Sequence, residues 1–373
     1  MYSIEILNKY SLDQNQIKAF KERVSYLNSH IISCKFNNNI IKLLFDKNIT
    51  VKEKNSLIKS CERLISRVQL IKSISDEKII YENNVRVENK KNIFNNLLKN
   101  KNVKNISPGI FTIRGRFLDF FNIFDNILLK RSKSKGYEKI HTHNMLPLES
   151  FIKNGYLKNF PQHVMVASHI KRNLKSIDKT SSLIEPSKIS KSLDNPKLVI
   201  SPTVCYHIFE TLKDSNLKFD TIFDSISSCN RFESINYLTF ERLQSFTMRE
   251  FVGYGSPKFV KNFLKDNIEY FKRVFVKNKI KFRIVTANDA FFSQVGIKKM
   301  AYQSMNDLKF EFQFWLPNEK KWLAVGSFNN HLDVLVNKYN IKSKKKLIHS
   351  GCLGWGYERL IYAVISQGKN LNK

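Results

Sequence analysis

The sequence predicts an α+β fold in which an antiparallel sheet carries helices packed around it. Three observations point there. Five segments in the C-terminal half have strand character, and one of them, Glu311 to Leu316, alternates its faces as an antiparallel strand with one wet side does. Apolar residues recur at helical spacing near the N-terminus and again in 117–130, 257–277 and 356–367. The 373 residues, 42 % of them apolar, can bury a full core without disulfides, and that length suggests one large domain and a smaller one.

In chain order, Ile17, Phe20, Val24 and Leu27, then Leu57, Cys61, Leu64, Val68 and Ile71, keep a helical period, so residues 1–105 read as a helical N-terminal region of unknown role. Asn- and Lys-rich stretches around Asn83 and from Asn100 to Asn105 follow, and Ser107-Pro108-Gly109 signals a turn. The boundary therefore falls between 105 and 106, and residues 106–373 form the larger domain. Phe117, Leu118, Phe120, Phe121, Ile123, Phe124, Ile127 and Leu128 make a strongly apolar, mostly buried helix. Strands follow at Lys197–Pro202, Phe219–Phe223, Phe282–Thr286, Phe310–Trp315 and Trp322–Phe328. A helix from Pro257 to Lys277 lies among them, and another closes the chain from Gly356 to Gln367. No repeat occurs at solenoid periods.

Five widely spaced cysteines, an odd number, argue against a secreted disulfide framework and for a reducing compartment. The N-terminus has no apolar signal core and no stretch is long and apolar enough to span a bilayer, so a cytoplasmic protein without membrane association is expected. The net charge of +31 suits nucleic acid, an acidic protein or an anionic surface. Lysine is abundant everywhere together with asparagine and isoleucine, which an AT-rich genome also produces, so compositional drift and a functional basic face both stay open. The clusters Lys130-Arg131-Ser132-Lys133-Ser134-Lys135 and Lys344-Lys345-Lys346 are the candidate contact surfaces; neither interleaves aromatics as a single-strand platform does.

There is no Walker P-loop, no Gly-rich dinucleotide turn and no kinase set, so an ATP site must be of another kind. Cys352-Leu-Gly354-Trp-Gly356-Tyr-Glu358-Arg359-Leu360 places two glycines before a helix whose first turn carries an arginine. A helix N-terminus beside a guanidinium can seat a polyphosphate, although such glycines are also common in simple packing turns.

Gly354-x-Gly356-x-x-Arg359 resembles motif 3 of class II aminoacyl-tRNA synthetases, and Cys229-Asn-Arg231-Phe-Glu233 with Arg242 to Phe251 resembles their motif 2. More narrowly, the chain resembles the amino acid:[carrier protein] ligases, truncated relatives of the zinc-dependent seryl-tRNA synthetases of methanogens. That narrower likeness rests on Gly155 to Pro161, Ser201-Pro-Thr-Val-Cys205-Tyr-His, Ala287-Asn-Asp-Ala-Phe-Phe292, Leu308-Lys-Phe-Glu311, Ser327-Phe-Asn329-Asn-His331-Leu-Asp333 and Cys352-Leu-Gly, in that order along the chain.

The resemblance implies the class II catalytic fold, a homodimer, and a zinc ion held by Cys205, Glu250 and Cys352. Two thiolates and a carboxylate suit zinc, and three protein ligands leave a position open, here for the α-amino group of an amino acid. It further implies attack of the amino acid carboxylate on the α-phosphate of ATP, a reaction that needs positioning and positive charge and little covalent help. Arg231 would grip the α-phosphate and carboxylate, Glu233 the adenine amino group and Arg359 the γ-phosphate, with Arg242, Gly354 and Gly356 completing the ATP site. Glu311 is a candidate for magnesium, with Ser327, Asn329 and Asp333 nearby and Lys309 either functional or a surface lysine. Ser327, Asn329 and His331 are candidates to contact the amino acid. His207, His141 and His143 read as mostly structural, because an ionised carboxylate needs no protein base.

The acceptor separates two readings. A synthetase gives its aminoacyl adenylate to tRNA, whereas the carrier-protein ligases give it to a phosphopantetheine thiol. The methanogen-type synthetase has a large N-terminal tRNA-binding domain, and only about 105 residues precede the likeness here. That favours an acidic carrier protein, loaded with glycine or alanine, and a basic face would steer it. A tRNA acceptor is the alternative, since the N-terminal lysines suit either. A third reading is a catalytically inactive binding module, against which stands retention of Arg231, Glu233, Arg359 and all three candidate zinc ligands. Asn230, where an aromatic is commoner, and the loosely matched His141-Thr-His143-Asn144 before Pro147 are departures.

Overall fold

The structure, a computed structural model, describes residues 2–37, 39–69, 77–87, 93–218, 220–233, 239–287, 308–344 and 347–371. Ile71, Phe219, residues 288–292 of the Ala287–Phe292 motif, and Lys345-Lys346 lie outside the described residues.

The first unit comprises β1 (Tyr2–Leu7), α1 (Gln14–Val24), β2 (Ile31–Asn37), β3 (Ile40–Phe45) and α2 (Val51–Gln69). Its antiparallel sheet has the order β1-β3-β2. Asp13 accepts from the Gln16 amide while the Gln16 side chain accepts from the Asp13 amide, a capping box that starts α1. Phe20 and Val24 of α1 and Leu57, Cys61, Leu64 and Val68 of α2 close over Ile4, Ile6, Ile41, Leu43 and Phe45. The helical reading of residues 1–105 is corrected: both helices are present, but three strands share their core. Alternation in β1 buries only Ile4 and Ile6, and the apolar residues of β2 and β3 run too close together for a period of two to stand out.

The second unit begins with β4 (Ile79–Glu82), α3 (Ile93–Lys99), β5 (Val103–Ser107), β6 (Ile110–Ile113), α4 (Arg116–Ser134) and β7 (Glu138–Lys139). A small sheet of β8 (Met145–Pro147), β9 (Met165–Ala167) and β10 (Leu198–Ile200) follows, with α5 (Leu148–Lys153), α6 (Tyr156–Asn159) and α7 (Leu174–Ser181) between its strands. Then come α8 (Cys205–Thr211), β11 (Asn216–Leu217), β12 (Thr221–Asn230), β13 (Ser245–Gly255), α9 (Pro257–Lys277), β14 (Phe282–Thr286), β15 (Lys309–Leu316) and β16 (Lys321–Leu332). The chain ends through α10 (Val334–Lys338), β17 (Lys342–Ser343), β18 (His349–Gly356) and α11 (Tyr357–Ser366).

Eight strands form the main sheet in the order β4-β14-β15-β16-β18-β13-β12-β7, antiparallel except where β7 joins β12. Residues 79–82 pair with β14 and Leu97 and Val103 enter the large core, although all precede the boundary expected at 105/106. Ser107-Pro108-Gly109 is the turn of the β5–β6 hairpin, with Gly109 at φ +72°.

One face of the sheet is apolar. Phe251, Phe312, Phe314, Phe328, Leu353 and Trp355 pack there with residues of α4, α9 and α11. Trp355 is fully buried against Phe124, Phe271, Phe275 and Phe312, and its indole fills the space a side chain at residue 326 would need, which explains Gly326. The helix expected at 257–277 is α9, with Pro257 at its first position and Ser256 accepting from the Phe259 amide at 3.3 Å. The neighbouring interior strands β13 and β18 carry the motif residues rather than a recognisable strand pattern. Among the described residues no helix is long and apolar enough to cross a membrane.

Candidate active site

The register of the main sheet builds the site. In an antiparallel pair, residues directly opposite each other project to one face. Glu250 of β13 lies opposite Gly354 of β18, Gly354 opposite Ser327 of β16, and Ser327 opposite Glu311 of β15. One step along, Val252, Cys352, Asn329 and Lys309 make a second row on the same face. This is the face away from the aromatic core. The strand alternation thus divides Met248-Arg249-Glu250-Phe251: Glu250 faces the site, while Arg249 and Phe251 face the helices.

Cys205, at the start of α8, completes a cluster. Its sulfur, a Glu250 carboxylate oxygen and the Cys352 sulfur all lie within 4.8 Å of one another, and all three residues are buried. Among the described residues this is the one such group of three potential metal ligands. The carboxylate is held from both sides, since Thr203 Oγ1 donates to Glu250 Oε1 at 2.6 Å and the Cys205 amide donates to Oε2 at 2.5 Å. Gly354 makes room for it, because a Cβ there would stand 2.9 Å from Oε1. Asn329 Nδ2 lies 3.6 Å from Cys352 Sγ and 3.3 Å from Ser327 Oγ. His331 brings Nε2 to 3.4 Å from Cys352 Sγ and Nδ1 to 3.2 Å from Ser350 Oγ.

Charge is shared unevenly in this pocket. A hydrogen bond from the Cys205 thiol, aided by His331 and Asn329, holds Cys352 well below the usual thiol range. The same bond, with burial, pushes Cys205 well above it. Burial, and then the charge on Cys352, raises Glu250 to about 7. A dication would reverse this by stabilising both thiolates and the carboxylate together. The donor set of two sulfurs and one oxygen fits zinc, and three ligands leave a coordination position for a substrate atom.

Beside this cluster the motif arginines gather. Arg231 donates Nε to the Pro202 carbonyl at 3.0 Å and lies over the Phe246 ring. Buried Glu233 pairs with Arg242 at 3.5 Å and raises it further above its ordinary value. Burial, then Arg242 and Arg231, bring Arg359 in the first turn of α11 down to about 10, with Glu233 and Glu311 opposing. Three guanidiniums crowded this way favour a bound polyanion.

Other expected residues are placed as follows. Glu311 forms an ion pair with Lys309 at 3.3 Å. The Asp333 carboxylate accepts from Asn337 at 3.0 Å, on α10 rather than in the site. A Cβ at Gly356 would meet only the Val325 carbonyl, at 3.9 Å, so packing alone does not require that glycine. His141 and His143 stack edge to face at 5.1 Å, and burial lowers His207 to about 4, which keeps it neutral. Thr203 is the site residue that the sequence did not single out; its signal is position, two residues before Cys205. The Arg249–Asp224–Asp125 network on the opposite face also went unread. Arg249 makes bidentate bonds to Asp224 at 2.7 and 2.8 Å and a third to Asp125 at 2.7 Å, and the Tyr357 hydroxyl also donates to Asp125.

No protein-family model matches the chain. It is 29 % identical over 245 residues to amino acid–[acyl-carrier-protein] ligase 1 of Bradyrhizobium diazoefficiens, a match covering 64 % of this chain and 73 % of the relative. To the type-2 serine–tRNA ligase of Methanopyrus kandleri it is 24 % identical over 269 residues, 66 % of this chain and about half, 51 %, of that enzyme. Among solved structures, M. kandleri SerRS in complex with A. aeolicus tRNASec superposes with a TM-score of 0.71 and 18 % identity, over 98 % of this chain and 74 % of that one. The fold is that of class II seryl-tRNA synthetases.

Proposed function

We propose that this chain, with its class II synthetase fold and its sequence likeness to amino acid–carrier ligases and seryl-tRNA ligases, is an ATP-dependent amino acid ligase. It converts a small amino acid, glycine or alanine, to an aminoacyl adenylate and transfers it to the phosphopantetheine thiol of an acidic carrier protein. The observation that carries this reading is the convergence of Cys205, Glu250 and Cys352 within 4.8 Å beside an arginine cluster, on one face of one sheet.

In this reading Cys205, Glu250 and Cys352 would hold zinc, which would supply an open position for the substrate's α-amino group. Thr203, Asn329 and His331 fix the three ligands, and Ser327, Asn329 and His331 line the amino acid. Arg231 orients the carboxylate against the α-phosphate, Glu233 accepts from the adenine amino group, and Arg242 and Arg359 neutralise the outer phosphates. Gly354 and Gly356 let the ligands approach the sheet. Glu311, which here pairs with Lys309 at 3.3 Å, would be the residue to hold magnesium alongside ATP. Catalysis is then positioning and charge neutralisation, with no protein base.

The enzyme acts as a homodimer in the cytoplasm, consistent with five free cysteines and no disulfide.

A second reading, a seryl-type tRNA ligase, is favoured by one observation: the superposition on SerRS covers 98 % of this chain and so includes the first unit. Radiolabelled amino acids and ATP offered to total tRNA and to a phosphopantetheinylated carrier separate the two. Label on the carrier is expected, and label on tRNA alone would overturn the acceptor. Absence of amino-acid-dependent ATP–pyrophosphate exchange in zinc-loaded protein would leave only the inactive binding module.

A further inference from the structure

Strand β12 stops pairing with β13 at Asn230, which lies opposite Ser245. The Arg231 amide still reaches the Gln244 carbonyl, at 3.1 Å. One residue further, Phe232 lies beyond the ladder, and a backbone N–H and C=O released from a sheet need new partners. Both groups of Phe232 find one residue, His163. The Phe232 amide donates to the His163 carbonyl at 3.1 Å, and His163 Nδ1 lies 3.1 Å from the Phe232 carbonyl oxygen. A carbonyl only accepts, so Nδ1 carries the proton. His163 thus takes the place of a strand partner at the point where the sheet ends.

The residue held in this way separates Arg231 from Glu233, the two groups given to the α-phosphate and to the adenine amino group. Its own ring is 44 % exposed, so side-chain packing does not fix the segment, and the two bonds to His163 hold its backbone.

His163 stands on a firm base. It ends a one-turn 3₁₀ helix, Pro161–His163, in which its amide donates to the Phe160 carbonyl at 3.1 Å and the Val164 amide donates to the Pro161 carbonyl at 3.2 Å. Phe160 and Val164, on either side of that turn, pack against the small core of Leu146, Phe151, Tyr156 and Val199. The turn therefore connects a packed core to the end of β12.

The surroundings also keep the imidazole neutral. Burial pushes its pKa below the ordinary histidine value and Arg231 and Arg242 push the same way, against Glu233 and the bond to Phe232. A neutral ring with its one proton on Nδ1 supplies the donor that the Phe232 carbonyl needs and adds no charge to compete with the arginines for phosphate.

We propose that His163 is a positioning residue for ATP: by tying both backbone groups of Phe232 to the 3₁₀ turn, it sets Arg231 and Glu233 in the relative placement that the nucleotide requires. This rests on the roles given to Arg231 and Glu233 in the ligase reading above.

The test is ATP–pyrophosphate exchange by the full-length, zinc-loaded protein with two nucleotides, ATP and purine riboside triphosphate, which lacks the amino group that Glu233 accepts from. The readout is the ratio of their kcat/KM values, because a loss of folded or zinc-loaded protein lowers both together and leaves the ratio unchanged. His163→Leu removes the ring donor and should lower the ratio by about three- to tenfold, the worth of one hydrogen bond, with a raised KM for ATP. His163→Asn, whose side-chain amide can donate from near the place of Nδ1, should restore most of the wild-type ratio. A wild-type ratio in His163→Leu overturns the inference and leaves the ligase reading standing. Equal losses in His163→Leu and His163→Asn assign the effect to the bulk of the ring and overturn it too. Wild-type exchange that does not distinguish the two nucleotides removes Glu233 from the adenine and the inference with it, whereas no exchange at all overturns the ligase reading itself.

Discussion

Gly354→Ala is the sharpest probe of the site, because the structure places a new methyl against one side chain. Its Cβ would stand 2.9 Å from Glu250 Oε1, 3.2 Å from Cγ and 3.4 Å from Cδ. Either the carboxylate or the strand must yield by a few tenths of an ångström. The carboxylate is not free to do so, being gripped by Thr203 at 2.6 Å and by the Cys205 amide at 2.5 Å. Overpacking of this kind costs about 1–3 kcal/mol. Here the strain falls on a candidate metal ligand, so zinc affinity should drop by roughly 10- to 100-fold, the range for disturbed ligand orientation. The control is Gly253→Ala, whose Cβ would meet the Phe263 ring at an equal 2.9 Å but on the helix-covered face. Chelator competition for zinc and thermal unfolding, run on both variants, separate the effects: Gly253→Ala should lower stability and keep zinc. Wild-type zinc affinity and wild-type exchange in Gly354→Ala would refute the placement of Glu250 as a ligand.

Metal analysis of Cys205→Ala, Glu250→Ala and Cys352→Ala should show zinc lost or sharply reduced in each; full occupancy in all three would refute the site. Arg249→Met strips the partner from Asp224, whose side chain is fully buried, and should cost about 3–5 kcal/mol by denaturant unfolding, with zinc retained in the folded fraction. Glu358 gives a pH signature. Burial raises its carboxyl from 4.5 to about 7, so between those values the folded chain keeps a proton that the unfolded chain has released. Stability from this group is therefore full below pH 4.5 and lost as pH rises to 7, by about 3 kcal/mol. Glu358→Gln should flatten that part of the stability profile, and an unchanged slope would contradict the assignment.

Much of the scaffold was legible in the sequence. The runs Arg116–Ser134 and Pro257–Lys277 keep a helical apolar period because one face of each lies on the sheet, and β14, β15 and β16 read as strands because they alternate or carry contiguous aromatics. The interior strands β13 and β18 did not. They have chemistry on one face and arginine or glycine where packing demands it: three of the eight residues from His349 to Gly356 are glycines, a composition that argues against a strand. The three strands of the first unit were hidden by helical periods on either side of them.

By itself the sequence determined the α+β class, the order of the motifs and the residue types that carry charge and sulfur, because these are local properties of the chain. The meeting of Cys205, Glu250 and Cys352 is not local, since the outer two stand 147 positions apart and no spacing rule spans that distance. The antiparallel register decided it, setting Glu250 opposite Gly354 and Cys352 opposite Asn329 on one face. Only the tertiary structure placed Thr203 and His331 against the ligands and sent Arg249 to the far side of the same strand.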